Sequence, residues 1–121
     1  MKLFKAIVAG GRDFNDAGLM VGRLDYFLSS KSGCTKISII SGMAKGADTL
    51  GASYAEVRGY LVWPYPANWE LHGKSAGYKR NQEMAEVADV LVAFWDGKSR
   101  GTKHMIDIMR KLNKPVRVVK Y

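Results

Sequence analysis

Residues 37–55 read ISIISGMAKGADTLGASYA. Ile37-Ser38-Ile39-Ile40 is an apolar run of strand length, and Ala47, Leu50, Tyr54 and Val57 recur at helical spacing after it. A strand-length run, a turn and an amphipathic helix make a βα unit, because the period-2 and period-3.6 patterns are not interchangeable. The turn between them is unusual. Ser41, Gly42, Lys45, Gly46 and Asp48 crowd into it, where an ordinary connection needs one glycine. Several glycines let backbone N–H groups close around an anion at the start of a helix, so this corner is expected to bind one.

The same alternation extends in both directions. Strand-length runs occupy 5–9, 60–63, 90–94 and 116–119, and Trp63 reads as core. Helical stripes fall at Met20, Leu24, Phe27 and Leu28, at Asn81, Met84, Ala85 and Ala88, and at Met105, Ile108, Met109 and Leu112. Strands alternating with helices require crossover connections, which are right-handed and give a parallel sheet with helices on both faces. The prediction is α/β: a single Rossmann-like three-layer sandwich over residues 1–121, with an about five-stranded, mainly parallel sheet in the order 3-2-1-4-5. Ligands of such sheets bind beyond the carboxyl ends of the strands, at the switch point between the first and fourth.

Composition sets the partner class without choosing within it. With 47% hydrophobic and 25% charged residues, a chain of 121 residues can bury a core of its own. A formal charge of +8 favours anionic partners: nucleotides, nucleic acid or phosphorylated metabolites. The cations are scattered rather than run together. No stretch approaches the ~18 apolar residues of a membrane span, and the N-terminal apolar run is too short for a signal peptide, so a cytoplasmic location is expected and no membrane partner. The single cysteine, Cys34, cannot close an internal disulfide and reads as a small residue near a strand start.

The unusual residues gather at the predicted carboxyl ends. Gly10, Gly11, Gly42, Gly46, Gly97 and Gly101 permit close approach of backbone to a ligand. Arg12 and Arg80 can pair with phosphate or carboxylate oxygens through two parallel hydrogen bonds. Asp48 either accepts ribose hydroxyls or favours the helix N-terminus. Ser41, Ser99 and Thr102 offer hydroxyls for capping or for phosphate. Asn81 can bind a ligand or serve the fold, and Trp69 and Trp95 can stack on a base. The stretch from Pro64 to Ala76 reads as irregular and as a candidate flap over the site. Neither GxGxxG nor GxxxxGK[ST] occurs, and His72 and His104 fit no metal-ligand spacing, so neither a cofactor nor a metal is expected.

Taken together, AGGRDF (9–14), SGMAKGAD (41–48) and YKRNQEMAEVADVLVAFWDGKSRGT (78–102) resemble the SLOG superfamily, most closely its small YspA/YpsA-related branch, often encoded by bacteria and their phages. SGMAKGAD is also similar to the SG-x-A-x-G-x-D loop of the DNA-processing protein A fold. The segment 80–102 is similar to that of the Lonely Guy phosphoribohydrolases, which release a base from a nucleoside monophosphate. In those enzymes the pattern continues to a glutamate that works with the arginine. Here Arg80 is present and Met105 stands where the acid would be. A thioether neither takes a proton nor steadies an oxocarbenium charge.

The resemblance therefore implies binding or sensing of a nucleotide-derived ligand more strongly than it implies catalysis. An alternative is hydrolysis of an N-glycosidic bond, with Asp48, Arg80 and Asp96 as the candidate catalytic residues. A second alternative is nucleic-acid binding, suggested by the charge. Homo-oligomers, a dimer or larger, are also expected from the resemblance.

Overall fold

The computed structural model describes residues 3–31 and 36–121. Cys34 lies outside the described residues. Five strands, β1 (Leu3–Gly10), β2 (Lys36–Ser41), β3 (Leu61–Pro64), β4 (Val90–Trp95) and β5 (Val116–Lys120), pair in the order β3-β2-β1-β4-β5. All four pairings are parallel. Helices α1 (Ala17–Leu28), α2 (Ala47–Arg58), α3 (Trp69–His72), α4 (Ala76–Val87) and α5 (Arg100–Lys111) connect them.

The alternation of side chains along β1 builds the two sides of the core. Ala6 and Val8 point into one cluster, with Phe14, Met20 and Leu24 from the α1 side and Ala47, Tyr54 and Ala55 from α2. Ile7 and Ala9 point into the other, against Met84 and Ala85 of α4 and Met105, Ile106 and Met109 of α5. Register keeps each set together: Ile7 lies opposite Ile40 on one side and Leu91 on the other, so three large residues form a row under α4 and α5. Truncating such a residue to alanine costs about 2–5 kcal/mol, from lost burial and the cavity left behind.

Local chemistry ends the helices where they end. Asp16 caps α1 by accepting from Leu19 N at 3.0 Å, and Ser99 caps α5. Gly59, at φ +75°, closes α2 in the left-handed region, where other residues are strained. At the end of α4, Lys114 Nζ donates to the carbonyls of Ala85 and Glu86 at 2.7 and 3.1 Å.

Four expectations need correction. Trp63 is 43% exposed rather than core, because β3 is an edge strand that the helices cover only in part. Val57 is 79% exposed, since α2 turns its small residues Gly51, Ala52 and Ala55 inward instead. A Cβ on Gly51 would fall 2.6 Å from Val8 Cγ1, so the helix rides close to the sheet on that face. Leu112 follows the last turn of α5 and is exposed. The segment 64–76 is not irregular throughout: Asn68 caps α3 by accepting from Leu71 N, and a 3-10 turn over 73–75 leads into α4.

Candidate functional site

The switch point between β1 and β4 opens into a cleft of about 400 Å³. Its floor begins at Gly10 and Gly11. Gly11 N donates to Phe94 O at 3.1 Å, and Gly11 O accepts from Ala47 N at 3.1 Å, which joins the ends of β1 and β4 to the start of α2. A side chain at Gly10 would stand 2.8 Å from Ala47 Cβ, so glycine is what lets these elements meet.

Asp48 enters from the first turn of α2. It is 5% exposed, and its Oδ2 accepts from Ala44 N at 3.4 Å. Burial pushes its carboxyl up to about 6, partly opposed by the charge of Arg80 and by backbone N–H donors. Arg80, on α4, meets it beside Gly42, whose missing Cβ leaves room for both. Its Nη1 donates to Gly42 O at 2.6 Å and its Nε to Asn81 Oδ1 at 3.0 Å. Burial lowers its affinity for the proton, with Asp48 acting the other way and Arg12 in the same direction as burial. Among the described residues Asp48 and Arg80 form no direct ion pair. Both charges remain available to a third group.

Asn81 is buried beneath Arg80, with Nδ2 donating to Gly101 O at 3.3 Å and lying 3.2 Å from His104 Nδ1. It anchors α4 to the N-terminal turn of α5 while lining the cleft. Asp96, after β4, accepts from Lys98 N and Ser99 N through the same Oδ1, both at 2.8 Å. Those two backbone donors hold its carboxyl below the usual carboxylate range. The carboxylate therefore organises the loop that presents Ser99, Gly101 and Thr102 to the cleft.

Ten of the sequence-nominated residues thus line one cleft: Gly10, Gly11, Arg12, Asp48, Arg80, Asn81, Asp96, Ser99, Gly101 and Thr102. Others stand apart from it. Ser41 is buried, donating to Asp48 O at 2.9 Å and accepting from Met43 N at 3.1 Å. Gly46, at φ +89°, allows the turn to pass against the β1 loop, since a Cβ there would be 2.6 Å from Arg12 O. Gly42 and Lys45 line a neighbouring depression beside Arg12 and Arg80. Gly97, at φ +86°, shapes the loop after β4.

The Ser41–Asp48 corner differs from the open anion cradle its glycines suggested. Its own acceptors take the amides of Met43, Ala44 and Thr49, and Gly11 O takes that of Ala47. Trp95 does not line the cleft: its Nε1 donates to Ser99 O at 3.1 Å, and Lys120 Nζ stands 5.4 Å from its ring centroid. Sequence reasoning passed over Asp13, Met84 and Ala44, which also line the cleft, although Asp13 adjoins the nominated Arg12. It also passed over Tyr121, which donates to Asp13 Oδ1 at 2.6 Å and sits over Gly11. Met105 lines the cleft without offering a proton acceptor.

The model of the YAcAr family, described as YspA, cpYpsA-related SLOG, matches residues 4–72, from β1 to the end of α3. Gene 61 protein of Mycobacterium phage D29 is 40% identical over 84 residues, which span 64% of this chain and 67% of that protein. The X-ray structure of TM1055, a structural-genomics target, superposes over 96% of this chain and 72% of its own, with a TM-score of 0.67 at 20% identity. At that identity the likeness is one of fold.

Proposed function

Because the chain belongs to the YspA, cpYpsA-related SLOG family, we propose that it is a binding module for a nucleotide-derived small molecule, seated in the cleft between the ends of β1 and β4. The observation that carries this reading is that a half-buried, incompletely used guanidinium, Arg80, and a buried carboxyl, Asp48, both approach the side-chain position left open at Gly42. A phosphate suits Arg80 and the exposed Arg12, while ribose hydroxyls suit Asp48, Ser99 and Thr102. The cleft's volume falls within the ~300–1,000 Å³ common for small-molecule sites.

The test is thermal stabilisation by nucleoside monophosphates and ribose 5-phosphate. A ligand that binds only the native state at 100-fold over its Kd adds about 2.7 kcal/mol of stability. The melting temperature of the wild type should rise, and that of a folded Arg80→Ala variant should not. A wild-type protein whose melting temperature ignores the whole panel contradicts the proposal.

A second reading, N-glycosidic hydrolysis, is favoured by one observation: burial raises Asp48 to about 6, which suits a proton donor near neutral pH. In that reaction the bond between C1′ and the base nitrogen breaks as water oxygen bonds to C1′. Asp48 gives its proton to the departing nitrogen and regains one from the water. Release of free base from a nucleoside monophosphate, lost in Asp48→Ala, would support it; a nucleotide that binds and is recovered intact rejects it.

A further inference from the structure

Arg12 and Arg80 border not one hollow but three. Beside the cleft lie depressions of about 260 Å³, reaching Lys45, Pro66 and Trp69, and about 220 Å³, reaching Lys74, Gly77 and Tyr78. Trp69 borders both. The charge along this path is strongly graded. The cleft lining includes three carboxylates, from Asp13, Asp48 and Asp96, whereas no Asp or Glu lines either depression. Arg12, Lys45 and Lys74 take part in no ion pair among the described residues.

Two aromatic residues, Trp69 and Tyr78, border the outer depression together. Trp69 and Tyr78 are 51% and 48% exposed. Trp69 Cη2 stands 3.5 Å from where a Cβ on Gly77 would be, an ordinary van der Waals distance, so the edge of the indole lies against α4. Tyr78 is steadied edge-on against His104, with ring centroids 4.4 Å apart. Exposed aromatic faces beside cations, in depressions that no carboxylate lines, are suited to a nucleobase and its phosphate.

We infer that the shelf of Trp69, Gly77 and Tyr78 is the base-binding subsite, and that the ligand is a nucleoside diphosphate joined to a second sugar. This rests on the proposed use of the cleft and goes on to assign the ligand's class and direction. Carboxylates accept hydroxyl protons and repel phosphate, so the acid-lined interior takes the terminal sugar. The diphosphate lies along Arg12 and Arg80, and the base stacks outside them on Trp69. In a mononucleotide the sugar carries the base directly, so it cannot put phosphate between an inner sugar and an outer base. A sugar–diphosphate–nucleoside has that order.

The experiment is calorimetric titration of the full chain with ADP-ribose and UDP-glucose, and with AMP, UMP and ribose 5-phosphate as fragments, in wild type and Trp69→Ala. Circular dichroism and melting check that the variant is folded. At least one nucleoside diphosphate sugar should bind wild type about 10-fold or more tighter than its fragments. Trp69→Ala should weaken that ligand and its nucleoside monophosphate by about 5- to 150-fold, the range of one base–aromatic stack. Ribose 5-phosphate should stay within about twofold. If fragments and whole ligands bind wild type equally, or if Trp69→Ala changes none of them, the shelf assignment is overturned while the cleft reading stands. If no compound binds wild type, both fall.

Discussion

Arg80 donates from Nη1 to the carbonyl oxygen of Gly42 at 2.6 Å, tying α4 to the loop that leaves β2. The bond holds Nη1 2.5 Å from where a Cβ on Gly42 would stand, and Asp48 Oδ2 lies 2.7 Å from that same point. Two charged groups from different helices are therefore positioned by a residue with no side chain.

Gly42→Ala tests that arrangement. The added methyl would stand 2.5 Å from Arg80 Nη1 and 2.7 Å from Asp48 Oδ2, so both must shift. Overpacking of this kind costs about 1–3 kcal/mol. Chemical denaturation should show a loss in that range, and any nucleotide that stabilises wild type should bind at least about 10-fold more weakly, as displaced anchors predict.

Arg80→Lys separates charge from geometry. An ammonium keeps the positive charge but cannot hold Gly42 O, Asn81 Oδ1 and a ligand oxygen in one plane. Its affinity for a phosphate-bearing ligand should stay close to that of Arg80→Ala and at least about 10-fold below wild type, measured by calorimetry. A lysine variant that binds like wild type would mean that charge alone suffices.

Asp48 gives the chain a pH signature. Burial raises its carboxyl from the ordinary 3.8 to about 6. Between those values the folded state holds a proton that the unfolded state has released, so stability falls as pH rises through the window. Linkage sets the size at roughly 3 kcal/mol at most. Asp48→Asn cannot ionise, so its stability relative to wild type should increase from about pH 4 to pH 7 and then level off. Urea denaturation at a series of pH values measures this; a constant difference across the window would show that the carboxyl titrates normally.

Tyr121→Phe probes the brace on the β1 loop. The variant keeps the edge-on contact with Phe14, whose centroid is 4.9 Å away, and loses the 2.6 Å hydrogen bond to Asp13. The expected cost is about 0.5–1.5 kcal/mol, read as a lower denaturation midpoint. Amide exchange at Gly11 and Arg12 should quicken more than exchange in β4, because the brace acts on the loop.

The strand order and switch point were legible because β1, β2 and β4 are apolar on both faces, which a parallel sheet covered by helices demands. Glycines and cations at the strand ends marked most of the cleft. Other features were hidden for physical reasons. The inward face of α2 is made of small residues pressed onto Val8, so reading the largest apolar side chains turned the stripe toward Val57. Whether the amides after Ser41 were free depended on acceptors as local as Ser41 Oγ and as distant as Gly11 O. Trp95 had the right chemistry for stacking, but its N–H bond to Ser99 turns it to supporting the loop. The contact of Tyr121 with Asp13 spans 108 residues, beyond any periodic signal.

The partly covered strand β3 carries a consequence for how these molecules meet one another. Its outer rim is a row of backbone groups that a neighbouring chain could lengthen into a continuous ribbon, yet it is only four residues long and finishes at Pro64, which has no N–H to offer. At high concentration this rim is thereby guarded against stacking edge to edge, even with Leu61 and Trp63 open to water.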